Sequence, residues 1–217
     1  MDEAFGRRVA RVGALADPVR RALYRFVAEQ PSAVSRDQAA SGVDVPRHTA
    51  KFHLERLVDE GLLVTEFRRL SGRSGPGAGR PAKLYRRSRR ELTVSLPSRR
   101  YDLAGQVLAD AVERALAGTP MAQALEEAAD DAARAAAVDE RPLGEVVAAL
   151  GYEPRRADDA LCLGNCPFDR VAADHRDLVC GLNRRFVTSL AQRLGTAPDR
   201  VEAVTPGPGC CVRVREG

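Results

Sequence analysis

Residues 47–63 read RHTAKFHLERLVDEGLL. Ala50, Leu54 and Leu57 recur at spacings of four and three, so a helix here would carry one apolar stripe. The pattern predicts a helix from Pro46 to Glu60, stopped by Gly61-Leu62-Leu63. Its first turns hold Arg47, His48, Thr49, Lys51 and His53. A helix that opens with polar and basic side chains, directly after a tight turn at Val43–Val45, has the means to present them to a charged surface.

Working outward, ADPVRRALYRFVAEQ (16–30) predicts another helix. Asp17 is placed as its N-cap and Pro18 at its first position, where a missing N–H costs nothing. Val19, Ala22, Leu23, Phe26 and Val27 form its apolar face. Ser35 caps a short helix, SRDQAASG, which Gly42 is expected to end. Short helix, turn and basic-fronted helix match the helix-turn-helix arrangement. On the other side of residues 47–63, LLVTEFRRL and AKLYRRS alternate as strands do, with the Gly-rich SGRSGPGAGRP between them. Strand, basic loop and strand after such a helix make a winged helix-turn-helix.

These segments, ADPVRRALYRFV, RHTAKFHLERLVDEGLL and GRPAKLYR in that order, resemble the ArsR-like winged-helix regulators over about ninety residues. The resemblance implies that Arg47, His48, Thr49, Lys51 and His53 begin a recognition helix. There, Arg or Lys reads guanine edges or grips phosphates. It also implies that Arg73, Arg80, Lys83 and Arg86 set the wing against the backbone or the minor groove of a double-stranded operator. His48 and His53 read as DNA-facing or packing residues rather than metal ligands, because no cysteine lies near them in sequence.

The charge distribution agrees. Residues 1–100 carry 21 Lys and Arg against 11 Asp and Glu, whereas residues 101–217 carry 13 against 19. A basic front and an acidic rear confine a nucleic-acid contact to the front. With 217 residues, 44% hydrophobic content, 5% aromatics and no Trp, the chain can build two cores of Ala, Leu and Val. No apolar run has signal-peptide or membrane-spanning length, which makes a cytoplasmic protein without a membrane partner the expectation.

The stretch SRRELTVSLPSRRYD links to an amphipathic helix from Tyr101 to Gly118, with Leu103, Val107, Leu108, Ala111, Val112, Ala115 and Leu116 on one face. Helices over Met121–Ala137 and Pro142–Leu150 follow, the second stopped by Gly151. Operators with two half-sites are read by two-fold dimers. The 101–117 helix is therefore either the contact of a homodimer or a packing face for the segment behind it.

All five cysteines, Cys162, Cys166, Cys180, Cys210 and Cys211, fall in the last 56 residues, together with His175. In a reducing compartment such thiols serve as metal ligands or redox groups more often than as disulfides. GYEPR and ALCLGNC read as strands with a turn at Arg156–Asp159, a helix spans about Phe168 to Leu194, and CCVRVRE is a final strand. The thiols thus come from three elements, without the paired spacing of a zinc ribbon. His175, Cys180 and Asp174 have the residue types of a triad. Asp174 and His175 are adjacent, however, and no oxyanion- or phosphate-binding motif accompanies them, so the chain does not read as an enzyme.

NCPFDRVAADHRDLVCGLN and PGPGCCVRV resemble the C-terminal segment of actinobacterial SufR-type regulators. That resemblance implies a homodimeric repressor holding an iron–sulfur cluster, usually [4Fe–4S] with [2Fe–2S] as the variant. The implied ligands are Cys166, Cys180 and one of Cys210 or Cys211. Neighbours on a strand point opposite ways, and Cys210 is favoured because it lies nearer the turn. Cys162, His175, Asp169 or an outside thiol remain open as the fourth ligand. A zinc or thiophilic-metal sensor and a cluster-free cysteine switch use the same residues. The predicted architecture is α+β: a winged helix-turn-helix over 1–90, a helical linker and dimerisation region over 91–150, and a small α+β cysteine-rich sensor over 151–217.

Overall fold

The computed structural model describes residues 3–69, 81–138, 141–157, 159–204 and 209–215. The chain divides into two units, Met1–Val94 and Ser95–Gly217.

In the first unit α1 (Glu3–Gly13) and a 3-10 turn (Ala14–Ala16) lead into α2 (Pro18–Glu29). The Asp17 side chain accepts from the Arg20 N–H at 2.8 Å, the cap that the Asp-Pro pair predicts. β1 (Val34–Ser35) precedes α3 (Arg36–Val43), which opens with a full capping box between Ser35 and Gln38. Gly42 does not end α3. The helix ends at Asp44, which takes the left-handed conformation (φ 53°). Gly42 is needed for a different reason: a Cβ there would stand 2.0 Å from the Phe26 ring.

α4 (Arg47–Asp59) buries Ala50, Leu54 and Leu57 as the stripe requires, and Gly61 turns the chain at φ +69°. β2 (Leu63–Arg68) and β3 (Ala82–Arg87) pair antiparallel, and β1 adds to β3 through Val34–Tyr85. The sheet order is β1-β3-β2. A two-residue strand has no period to read, which is why β1 was not foreseen. Leu23, Val27, Ala39, Leu54, Leu57 and Leu63 share the core of this unit.

In the second unit α5 (Tyr101–Leu116), α6 (Met121–Ala136) and α7 (Leu143–Ala149) follow the predicted helices closely. β4 (Pro154–Ala157) and β5 (Ala160–Leu163) form a hairpin. The single helix expected from Phe168 to Leu194 is instead two, α8 (Asp169–Asp174) and α9 (Arg176–Arg193), broken at His175 with φ −132° and ψ 50°. No Pro or Gly between 168 and 180 announces that break. β6 (Val201–Ala203) and β7 (Val212–Arg215) complete an antiparallel sheet of order β4-β5-β7-β6.

The final strand is shorter than its sequence reading. β7 begins at Val212, so Cys210 and Cys211 precede it. α6 packs between α5 and α9, through fully buried Ala124, Ala128, Ala129 and Ala133. Methyl side chains let the helix axes approach closely. Val107, Val146, Leu161, Leu163, Val187, Leu190 and Val214 belong to the same core, so the helices of 101–150 and the cysteine-bearing segment form one body. Among the described residues no helix is long and apolar enough to cross a membrane.

Candidate nucleic-acid interface and thiol centre

α4 divides its side chains cleanly. Ala50, His53, Leu54 and Leu57 are buried, while Arg47, His48, Lys51 and Phe52 are exposed and Thr49 is half-buried. His53, 8% exposed, accepts at Nδ1 from Arg20 Nε at 3.3 Å. Its ring is turned into the core, so of the two readings given to it, packing is the one its position fits. Arg47 is held by Asp37, with 2.7 Å between guanidinium and carboxylate. Lys83 lies 2.6–2.8 Å from both Glu55 oxygens, and the Tyr85 hydroxyl donates to the same carboxylate at 2.7 Å. Burial works to raise Glu55, but these hydrogen bonds outweigh it and hold the carboxyl below its usual value. Arg86 pairs with Glu66 at 3.6 Å. Arg73 and Arg80 lie outside the described residues.

Phe52 is a feature the sequence reading passed over. It is 66% exposed, on the face that carries His48 and Lys51. Helical spacing away from the Ala50–Leu54–Leu57 stripe was the signal that could have found it.

In the second unit, Cys166 lies in the loop between β5 and α8, Cys180 on α9, and Cys210 and Cys211 just before β7. Cys210 is pinned to the end of β5 by its N–H to Leu163 O at 2.9 Å. A Cβ on the preceding Gly209 would meet that carbonyl at 3.1 Å, so glycine permits the approach. Taken in the order Cys166, Cys210, Cys211, Cys180, each thiol lies close enough to the next to shift its acidity.

The chain splits their acidities. The bond from Cys210 draws Cys211 down to about 5, helped by Cys180 and Asn183 against the effect of burial. Cys166 is lowered by the neighbouring Cys210 thiol. Cys210, which keeps its proton between the two, is raised. Burial, then the bond to Cys211, raises Cys180 to about 11. A thiolate that accepts S–H from a neighbour is stabilised, and that neighbour keeps its proton.

A buried amide joins this chain. Asn183 on α9 donates to Cys210 Sγ at 3.1 Å and reaches Cys211 Sγ at 3.9 Å, while its oxygen accepts from the Tyr152 hydroxyl at 2.6 Å. Cys162 does not join it. It sits on β5 between inward-facing Leu161 and Leu163, so strand alternation turns it away from that core. His175 is exposed at the break between α8 and α9. The donor set of four thiols with an N–H on sulfur is suited to a thiophilic group. Among the described residues no three His, Cys, Asp or Glu groups are arranged to hold a metal ion.

The Cys166 loop is tied to the segment that enters α5. Asn165 donates to Ser98 O at 2.9 Å and Gly151 O at 2.6 Å and accepts from Arg99. Arg99 also reaches Cys166 O at 3.3 Å and Asp169 at 3.5 Å, and Arg100 N–H donates to Pro167 O at 3.0 Å. Both neighbours of Cys166 are thus bonded to residues 98–100.

Residues 15–66 match a helix-turn-helix domain family. No curated protein and no solved structure matches the chain. The match covers α2, α3 and α4, and identifies this part of the chain as the DNA-binding module of a transcriptional regulator.

Proposed function

We propose that the protein is a homodimeric repressor whose operator binding is controlled by an iron–sulfur cluster, [4Fe–4S] in the first instance, bound in its second unit. Supporting this is the convergence of four thiols from three separate segments, in a chain whose other unit binds DNA. Cys166, Cys180 and Cys210 would hold the group. Cys211, whose acidity is set by Cys210 and Cys180, is the fourth thiol within reach. Such a cluster supplies a link between thiolates that oxidants, nitric oxide or iron shortage can sever.

The rest follows from this chain's own residues. Freed from a common partner, Cys166 moves with its loop, and Asn165, Arg99 and Arg100 carry that displacement to residues 98–100. That segment leads back toward the DNA-binding unit. Val112 and Leu116, the latter 84% exposed, give α5 an apolar outer edge suited to a second copy. Two recognition helices bind two half-sites only at one spacing, so a change in the dimer's geometry weakens operator binding. A hundredfold change in affinity needs about 2.7 kcal/mol of coupling.

Anaerobic purification with iron and sulfide analysis tests the reading, on the wild type and Cys166→Ala. Matching iron and sulfide in the wild type, lost in the variant, supports it. A protein without sulfide refutes it; one zinc per chain would then favour a thiophilic-metal sensor, and no metal a cysteine switch.

A further inference from the structure

We propose that Asn183 is a positioning residue of the thiol centre, and that the Tyr152 hydroxyl sets its orientation. The inference rests on the reading of the four thiols as a ligand set. Tyr152, Asn183 and Cys210 are 0%, 2% and 5% exposed, and form one buried polar row in an otherwise apolar core. A buried amide has one acceptor oxygen and two N–H donors to satisfy. Here the oxygen accepts from the tyrosine, and the amide nitrogen faces two sulfurs, at 3.1 and 3.9 Å. Because Tyr152 donates to one end of the amide, the other end presents its hydrogens to sulfur.

Adjacent residues in a strand would send their side chains to opposite faces. Cys210 and Cys211 escape that rule because they precede β7. Their backbone is held from two sides, by Cys210 N–H to Leu163 O at 2.9 Å and by Val204 N–H to Cys211 O at 2.9 Å. Asn183 then gathers both sulfurs toward one amide. A group whose hydrogen bonds orient the ligating atoms contributes to affinity without touching the metal.

The test uses cadmium ion alone as the probe, with the full-length anaerobic protein. The variants are Asn183→Leu, Tyr152→Phe, and the double variant Tyr152→Phe/Asn183→Leu. Removing both partners of a buried hydrogen bond leaves no orphaned polar group, so the double variant guards against loss of fold. Thermal unfolding checks this. Ultraviolet thiolate-to-cadmium absorbance per bound ion counts the thiolates engaged.

The expected result is at least a tenfold loss of cadmium affinity in Asn183→Leu and the double variant, in the 10–100-fold range typical of groups that support metal ligands. Absorbance per ion should fall as well, and Tyr152→Phe should lie between these and the wild type. A folded double variant with wild-type affinity and absorbance overturns the proposal. Failure of the wild type to bind cadmium through thiolates overturns it together with the ligand-set reading. Absence of iron and sulfide from the wild type would remove the cluster reading alone, and the cadmium comparison would still decide the role of Asn183.

Discussion

Replacing Asn165 with alanine should destabilise the second unit by roughly 2–4 kcal/mol, a range built from individual hydrogen-bond losses. The side chain is buried, with two donor bonds to the carbonyls of Ser98 and Gly151 and one acceptor bond from Arg99. Losing a bond to a buried carbonyl costs about 1 kcal/mol net, more where the carbonyl is left without a partner. The bond to the guanidinium would count for about 1.5–3 kcal/mol if fully buried. Its share is smaller than that, because Arg99 is 19% exposed and keeps Cys166 O and Asp169.

In a unit of this size such a loss lowers Tm by on the order of 10 °C. Urea unfolding and calorimetry of the full chain would follow the second transition, with Arg99→Ala as the comparison. That variant leaves both Asn165 donor bonds in place and should cost less, about 1–2 kcal/mol. An Asn165→Ala protein within about 0.5 kcal/mol of the wild type would refute the reasoning, since surface changes already fall in that range. Under the proposed function both variants should also blunt the dependence of DNA affinity on the state of the thiols.

Asp17→Ala removes the α2 cap and should lower the stability of the first unit, read as a lower urea midpoint with an unchanged m-value. The Glu55 carboxyl is held below its ordinary 4.5 in the folded state. Its contribution to stability is therefore complete above that value and lost as pH falls through the lowered one; Glu55→Gln should flatten the acid limb of the stability–pH curve. Lys51→Ala should weaken DNA binding across sequences and reduce the slope of log K against log salt by about 1, measured by fluorescence anisotropy at several salt concentrations. Under the proposed function, Cys162→Ser should retain the iron and sulfide of the wild type after anaerobic purification, whereas Cys180→Ser should lose both.

Much of the first unit is legible in its sequence because local chemistry decides it. Asp17-Pro18, Ser35 and Gly61 are cap and stop signals that act within four residues. The Ala50–Leu54–Leu57 stripe is one helical face. The misread positions are those where a distant residue sets the outcome. Gly42 looked like a helix stop, yet it is small because the Phe26 ring lies against it. Lys83 reads as a wing cation, and its pairing with Glu55, 28 positions earlier, is visible only in the fold.

The thiol region divides in the same way. Sequence alone marked the cysteines as one group, because thiols confined to one short stretch behind a DNA-binding segment stand out without coordinates. It could not order them, since their order depends on a loop, a helix and a strand end meeting in one core. Tertiary structure decided that Cys162 faces away, that Cys210 and Cys211 lie outside the strand and serve the same side, and that Asn183 joins them. Local propensity is written within a helical turn or a strand pair. The partners of a buried polar group are chosen by whatever side chains the core brings within about 3 Å, and Tyr152 and Asn183 meet in this way across 31 residues of sequence.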